Sequence, residues 1–350
     1  MALSKGKASW KGSHSGILVL FGGCLIFSYF AVVPRLLSAK SPLYISSDYF
    51  SAIFQHLVPE TSKIKFTDER KTLYQYHKAA PRSFEQSNQP LICGQGPQYK
   101  KFFGLDIKQH SGANEDNMIY DLFFKGMSEG NHTQMRYVEL GAFNGREESN
   151  TRFFDECLGW EGVLIEPNPV VYNELVQFRP NAHKLRFAAL CNSSEEAQNK
   201  TVGFWKSRYT NSVQDDSVEN RKAYAFHPNS KMVQVPCGRL TAPLQEILKP
   251  HNRIHYFRLD VEGMEPNVLK TLDFDKIFVD IFTVENTNIH CKEICESRDR
   301  VRAIMKKQNY ILYSRVIKRS DLYIHPRSPF YSAFEQKMPT ETNKINVSSV

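Results

Sequence analysis

The 350-residue chain contains no Gly-x-Gly-x-x-Gly segment. Without it a βα turn has no pyrophosphate cradle, which argues against NAD-linked chemistry. No Cys-x-x-Cys pair is present, and no histidine is spaced to complete a site, so structural zinc is not expected and a metal-independent site is. No internal repeat is visible. Acidic residues are missing from residues 1–40, which carry Lys5, Lys7, Lys11, Arg35 and Lys40. Five of the eight net positive charges therefore lie there, leaving three for the other 310 residues. That remainder has no Lys/Arg run and no basic-aromatic stripe, so a nucleic-acid partner is not expected.

The acid-free region holds the longest apolar run, residues 16–33, eighteen positions without a charge. At about 1.5 Å per residue this reaches the lower end of a spanning helix. It exceeds the apolar core of about 7–15 residues typical of a cleaved signal peptide, the alternative reading, and no clean small-x-small site ends it. The sequence thus predicts a cytosolic tail (1–15), a transmembrane signal-anchor (16–33) and a lumenal remainder. That is a single-pass type II arrangement in a Golgi or other secretory-pathway membrane. Cys24 lies in the run, leaving Cys93, Cys157, Cys191, Cys237, Cys291 and Cys295 in an oxidising lumen. Six cysteines allow up to three disulfides, with the pairing unassigned. Sequons at Asn131, Asn192, Asn199 and Asn346 permit glycosylation.

Residues 34–90 mix Pro, Ser, charge and scattered aromatics without period and read as a stem. A folded domain follows over 91–330, and 331–350 read as a polar tail. After a helix near 119–124, the spacing predicts strand, helix, strand, helix, strand over 136–140, 148–158, 162–166, 171–178 and 185–190. Strands are also expected at 232–235, 254–259 and 277–284, helices at 244–248 and 299–307, and a closing hairpin at 310–317 and 321–325. This is the grammar of a doubly wound, mostly parallel α/β sheet of Rossmann type with an antiparallel edge hairpin.

Two motifs carry the chemistry. The first is Tyr137-Val-Glu-Leu-Gly-Ala-Phe-Asn-Gly145, with Glu166 following Gly141 by 25 residues at the end of the next strand. Gly141 and Gly145 would let the backbone approach a ligand, and Glu166 could accept two hydrogen bonds from ribose hydroxyls. A nucleoside-bearing cofactor without the dinucleotide glycines favours S-adenosylmethionine over NAD. Glu139 would contact the cofactor's ammonium or pair with Arg136. Asn144, Ser149, Asn150 and Thr151 offer amide and hydroxyl groups to its carboxylate, or cap the following helix. The second motif is Tyr256-Phe-Arg-Leu-Asp-Val-Glu-Gly-Met-Glu265. An acid ending so apolar a strand is costly to bury without a partner, which marks Asp260 as catalytic, with Glu262 on the same face if the strand continues. Glu265 reads better as a helix N-terminal acid. Glu285 and Asn286 end the neighbouring strand and would face the same cleft as acceptor contacts, Glu285 alternatively being half of a salt bridge. Arg258, inside the Asp260 strand, is expected to pair with one of these acids. Trp205 and Tyr209, with Arg208, Asp215 and Asp216, lie in an aromatic, charged insertion suited to stacking on a sugar ring.

These stretches resemble the FkbM family of S-adenosylmethionine-dependent methyltransferases. The matching text is Val-Glu-Leu-Gly-Ala-x-x-Gly (138–145), Leu-Ile-Glu-Pro-Asn-Pro (164–169), Leu-Asp-Val-Glu-Gly-x-Glu (259–265) and Val-Glu-Asn (284–286), in the family's order over roughly 135–326. Glu139 stands where an Asp is usual and Arg258 where a Lys is common. The resemblance implies O-methyl transfer to a sugar or glycan hydroxyl. Residues 149–160 resemble the animal, membrane-anchored, Star-like branch, which implies the alternative of a non-enzymatic role in cargo trafficking or protein interaction.

Overall fold

The computed structural model describes residues 74–82, 111, 113–132, 134–206, 212–213, 231–286 and 295–337, all within a unit spanning 61–350. The strands are β1 (Gln75–His77), β2 (Arg136–Leu140), β3 (Glu161–Ile165), β4 (His183–Arg186), β5 (Thr201–Lys206), β6 (Ser212–Val213), β7 (Lys231–Pro236), β8 (Arg253–Leu259), β9 (Phe278–Glu285), β10 (Ile311–Ile317) and β11 (Ser320–Ile324). The helices are α1 (Glu115–Ile119), α2 (Glu129–His132), α3 (Arg152–Glu156), α4 (Pro169–Phe178), α5 (Ser193–Ala197), α6 (Thr241–Leu248), α7 (Glu265–Leu269), α8 (Glu296–Lys307) and α9 (Pro329–Lys337).

Eight strands form one sheet in the order β1-β4-β3-β2-β8-β9-β11-β10. The run from β4 to β9 is parallel. β11 is antiparallel to β9 and β10, and β1 to β4, so the edge hairpin forms as expected. The chain winds outward from β2 to β4, then returns to place β8 on the other side of β2. That reversal leaves a crevice outside the carboxyl ends of β2 and β8, where ligands of open α/β sheets bind. The central strands are buried on both faces, as parallel strands must be. Val138, Leu140, Phe257 and Leu259 pack on one face with Leu244, Leu248, Val301 and Met305 from α6 and α8. Tyr137, Leu164 and Tyr256 pack on the other with Ile119, Phe124, Phe154, Leu175 and Phe334. The Asn-Pro text after Glu166 starts α4: Asn168 accepts from the Val170 amide at 3.0 Å and Pro169 takes the first helical position.

Several elements differ from expectation, each for a local reason. β1 falls inside the stretch read as stem, because Tyr76 inserts into the core and Tyr74 stacks on Phe187. The helix expected from 148 begins only at Arg152, because Ser149, Asn150 and Thr151 are drawn to the Glu139 carboxylate. After α1 the helix widens into a π-helical turn, Tyr120–Phe124, closed by Lys125 N–H donating to Tyr120 O at 2.9 Å. The stretch 232–235 belongs to a second, antiparallel sheet, β6-β5-β7. A Cys191–Cys237 disulfide ties that sheet to the segment after β4, and Cys157 and Cys295 are also disulfide-bonded. The polar tail starts later than 331, because α9 buries Phe334. The signal-anchor 16–33 lies outside the described residues; among those described, no helix is long and apolar enough to cross a membrane.

The loop after β2 is fixed by one guanidinium. Arg179, just past α4, has a side chain with 0% exposure. It donates to Asp155 Oδ2 at 2.7 Å, Gly145 O at 3.0 Å, Ser149 Oγ at 3.1 Å, Tyr137 Oη at 2.6 Å and Thr151 Oγ1 at 3.4 Å. Burial pushes the Asp155 carboxyl up, but Arg179 and Arg82 outweigh it and hold it below the usual range. Arg179→Met fills the volume but leaves Glu139 without its nearby cation and Asp155 with only Arg82. A loss of about 3–5 kcal/mol is expected in urea titration of the full-length chain, as for a buried pair that loses one partner. A loss below about 1 kcal/mol would mean that this network does not hold the loop.

Candidate active site

The crevice is walled by the chain segments that leave β2, β3, β8 and β9. At Gly141 the backbone turns with φ +74°, and a Cβ there would lie 1.8 Å from Asp260 O. Glycine is therefore what lets the ends of β2 and β8 touch, with Asp260 N–H donating to Leu140 O at 3.2 Å. At Gly145, φ +71°, a Cβ would lie 2.4 Å from Leu175 Cδ1 and 2.6 Å from Arg179 Cγ. Both glycines thus serve the packing of the chain against itself.

The first motif's polar side chains are also turned inward. Glu139 is buried and accepts from Ser149 Oγ at 2.9 Å, Asn150 N at 2.8 Å and Thr151 Oγ1 at 2.6 Å. Arg136 pairs instead with Glu161 at 2.7 Å. The pairing of Glu139 with Arg136 is therefore not made, and its carboxyl organises the turn that carries Ser149, Asn150 and Thr151. Asn144 is fully buried. Its amide donates to Glu147 and Glu174 at 3.2 Å each, and its Oδ1 accepts from the amides of Arg146 and Glu147 at 3.0 and 2.9 Å. All four of its hydrogen-bonding positions are used within the loop.

Glu166 is different. It lies at the carboxyl end of β3 with 4% exposure, and its oxygens accept one backbone amide each, Phe143 N at 2.9 Å and Asn168 N at 2.8 Å. No cation pairs with it among the described residues, and burial pushes its carboxyl up to about 7. Each oxygen keeps a lone pair for a further donor, so the residue fits the vicinal hydroxyls of a ribose.

On the β8 side, the strand ends at Leu259, so Asp260 and Glu262 are not aligned by strand alternation. The loop folds back through Glu262 at φ 56° and Gly263 at φ 95°, and Glu265 pins it by accepting the amides of Val261 and Gly263 at 3.1 Å each. Glu265 thus takes the structural role expected of it. The Asp260 side chain is 31% exposed and accepts from Arg258 Nη2 at 2.7 Å. Arg258, buried mid-strand, thus makes the pairing with a strand-end acid that the sequence leads one to expect; it also donates to Ser320 Oγ at 2.6 Å and lies 3.4 Å from Glu115. Glu285 is buried; Arg319 donates to its Oε1 at 3.2 Å, and its Oε2 has no donor among the described residues. Burial first, then the charge of Asp260 and a hydrogen bond to it, then the charge of Glu262, push Glu285 up to about 10. Glu285 therefore favours its protonated form at neutral pH, and Asp260 beside it is the more exposed of the two.

The acceptor residues expected around them divide. Glu285 joins the acid pair. Asn286 turns away to donate to Asp321 at 2.6 Å. Trp205 pairs through its backbone with Ser212 and Met232 in the second sheet, and Tyr209 lies outside the described residues. That sheet packs Phe204 and Val235 against Met264, with Val261 alongside, so it flanks the loop that carries Glu262. Among the described residues, no group of three or more His, Cys, Asp or Glu side chains is placed to hold a metal ion.

Residues 139–312 match the family model of the Methyltransferase FkbM domain. No curated protein matches the chain. Seven chains of solved structures do. One is the fibrillarin pre-rRNA processing protein of Methanococcus jannaschii, 10% identical over 55% of this chain and 66% of that one, with a TM-score of 0.28. The match spans just under two thirds of that protein, and a likeness at that score carries no argument here.

The acid pair predicts a pH dependence. The folded value of Glu285, about 10, lies above its ordinary 4.5. Its contribution to stability is therefore fully present below about pH 4.5 and is lost as pH rises towards 10. Glu285→Gln keeps the shape of the side chain and cannot ionise. Its melting temperature should gain on the native chain between pH 5 and pH 9 in scanning calorimetry, whereas parallel curves would mean that Glu285 is not protonated in the folded state.

Proposed function

We propose that the chain is an S-adenosylmethionine-dependent O-methyltransferase acting on a sugar or glycan hydroxyl in the secretory-pathway lumen. The observation that carries this reading is one crevice, inside the stretch matching the FkbM methyltransferase domain, with cation-free Glu166 on one wall and the Asp260–Glu285 pair on the other. When bound, S-adenosylmethionine supplies a methyl group already activated on a sulfonium.

What falls to the protein is positioning and a place for the hydroxyl proton. Glu166 would hold the ribose hydroxyls, beside the Gly141–Gly145 loop that Arg179 and Glu139 keep rigid. Asp260 would accept the acceptor's hydroxyl and take its proton as the new C–O bond forms. Arg258 donates to Asp260 and so fixes its orientation, with Glu285 lying beside the pair. Glu262, on a strained left-handed backbone at the rim, contributes negative charge beside the pair. The second sheet, which carries Trp205, flanks the loop as an acceptor platform would. The apolar run 16–33 supports a membrane anchor, and the Cys191–Cys237 disulfide supports an oxidising compartment. A non-enzymatic trafficking protein with the same fold would not need S-adenosylmethionine.

Two variants test the assignment. Asp260→Asn should lower methyl transfer by about 100-fold or more, as loss of a general base does, and leave S-adenosylmethionine affinity within about twofold; full activity would remove Asp260 from the reaction. Glu166→Gln should weaken S-adenosylmethionine binding by about 10–100-fold in calorimetric titration without destabilising the fold. In the native chain that binding should strengthen as pH rises through about 7, where Glu166 ionises. No measurable binding by the native chain would favour the trafficking role.

A further inference from the structure

Beside the acid pair, the closing hairpin and α8 enclose a cleft of about 620 Å³ whose polar lining is almost wholly cationic. Arg298 and Arg302 project from α8, Arg315 from β10, and Lys318 and Arg319 from the two-residue turn between β10 and β11. Three of these have acidic partners: Arg298 with Asp299, Arg302 with Asp321, and Arg319 with Glu285. Arg315 and Lys318 are exposed and form no ion pair among the described residues. Asn286 completes the lining, and its amide donates to Arg319 O at 3.0 Å, so the cleft and the acid pair share a wall.

Two of the cations stand where folding alone would favour glycine. The register of β10 against β11 shifts between Tyr313 and Ile317, and within that bulge Arg315 has φ 66°; in the turn Arg319 has φ 65°. Left-handed backbone costs an ordinary side chain about 1–2 kcal/mol. Bulges of this kind re-aim side chains and cluster next to active sites. Local strain is thus accepted at two arginines that line one concavity, beside the carboxylate proposed to take the acceptor's proton. Guanidinium forks match the planar or tetrahedral oxygens of carboxylate, sulfate and phosphate.

We propose that this cleft binds the acidic group of an anionic saccharide, a sulfate, phosphate or carboxylate, with Arg315 and Lys318 as its principal contacts. The proposal rests on the reading of the chain as a sugar-directed methyltransferase, and it narrows the acceptor to acidic sugars. A saccharide suits the site better than a nucleic acid, because the basic residues line one local cleft and no basic run continues along the chain.

The test is calorimetric titration of the full-length chain with four short oligosaccharides of one backbone: sulfated, phosphorylated, uronate-bearing and neutral. At least one anionic probe should bind about tenfold or more tighter than the neutral one, with the difference shrinking as salt rises. The double variant Arg315→Gly and Lys318→Ala should lose that preference while keeping or raising its melting temperature, since glycine relieves the backbone at 315. Equal binding of all four probes, or a preference that survives in the variant, overturns the proposal. A single-stranded oligonucleotide of equal charge that binds more tightly than every saccharide overturns the saccharide assignment. The two readings fail separately: methylation of a neutral sugar as good as that of an acidic one sinks the cleft alone, whereas charge-selective binding without any S-adenosylmethionine binding sinks methyl transfer and leaves the cleft.

Discussion

A guanidinium that never meets water sets the shape of the crevice. Taking Arg179 out of solvent costs several kcal/mol unless its donors are all used, and here they are spread over Asp155, Gly145, Ser149, Tyr137 and Thr151. These partners come from β2, the loop after it, and α3, so few arrangements of those segments can satisfy them all. Glu139 adds the opposite charge from inside β2 and binds the same turn through Ser149, Asn150 and Thr151. Its length matters: one methylene more than the Asp usual at this position reaches a turn ten residues on. The loop is thus held by charge pairing rather than by apolar burial, and it reaches the crevice already ordered.

Against that background two buried acids stand apart, Glu166 with no cation among the described residues and Glu285 with only Arg319. Asp155, Asp280 and Asp321 are buried and each meets an arginine fork. Glu166 and Glu285 are buried too, but burial and, for Glu285, neighbouring acids push them towards the protonated form. A perturbed carboxyl does not by itself mark a site. Glu265 is pushed up to about 7 by the same burial, and its oxygen is used on two amides of its own loop. What separates Glu166 from Glu265 is position, at the carboxyl end of a central strand beside the reversal of strand order, with both oxygens still open to a second donor.

The sheet was legible because strands buried on both faces must be written as apolar runs, and β2, β3, β8 and β9 are. The acids at their ends were legible for the converse reason, since a charge closing such a run needs an explanation. Side-chain destinations were not. Nothing in the spacing of Gly141 and Gly145 distinguishes room for a ligand from room for Asp260 and Leu175. Nothing local to Glu139 or Asn144 reveals that their hydrogen bonds are consumed within the loop. Arg258 was legible as a partner for one of the strand-end acids, but its contacts with Glu115 and Ser320 were not, because those residues come from distant segments. β1 was read as stem because three residues carry no period; only the Tyr76 pocket against β4 makes them a strand.

Charge gives the sharpest case. Past residue 40 the chain is only slightly basic, and that count argued correctly against a basic tract. It could not register a basic concavity, because Arg298 and Arg302 lie one helical turn apart on α8 while Arg315, Lys318 and Arg319 belong to a bulge and a turn further on. In sequence these residues alternate with Asp299, Asp321 and apolar positions. In space the acids are drawn onto their own arginines, and Arg315 and Lys318 are left facing the cleft. Such segregation keeps two fields of opposite sign side by side: a negative one at Asp260 suited to drawing off a proton, and a positive one suited to holding an anion. An acceptor that bears both a hydroxyl and an acidic group would be oriented by the two together, with neither field needing to bind tightly alone.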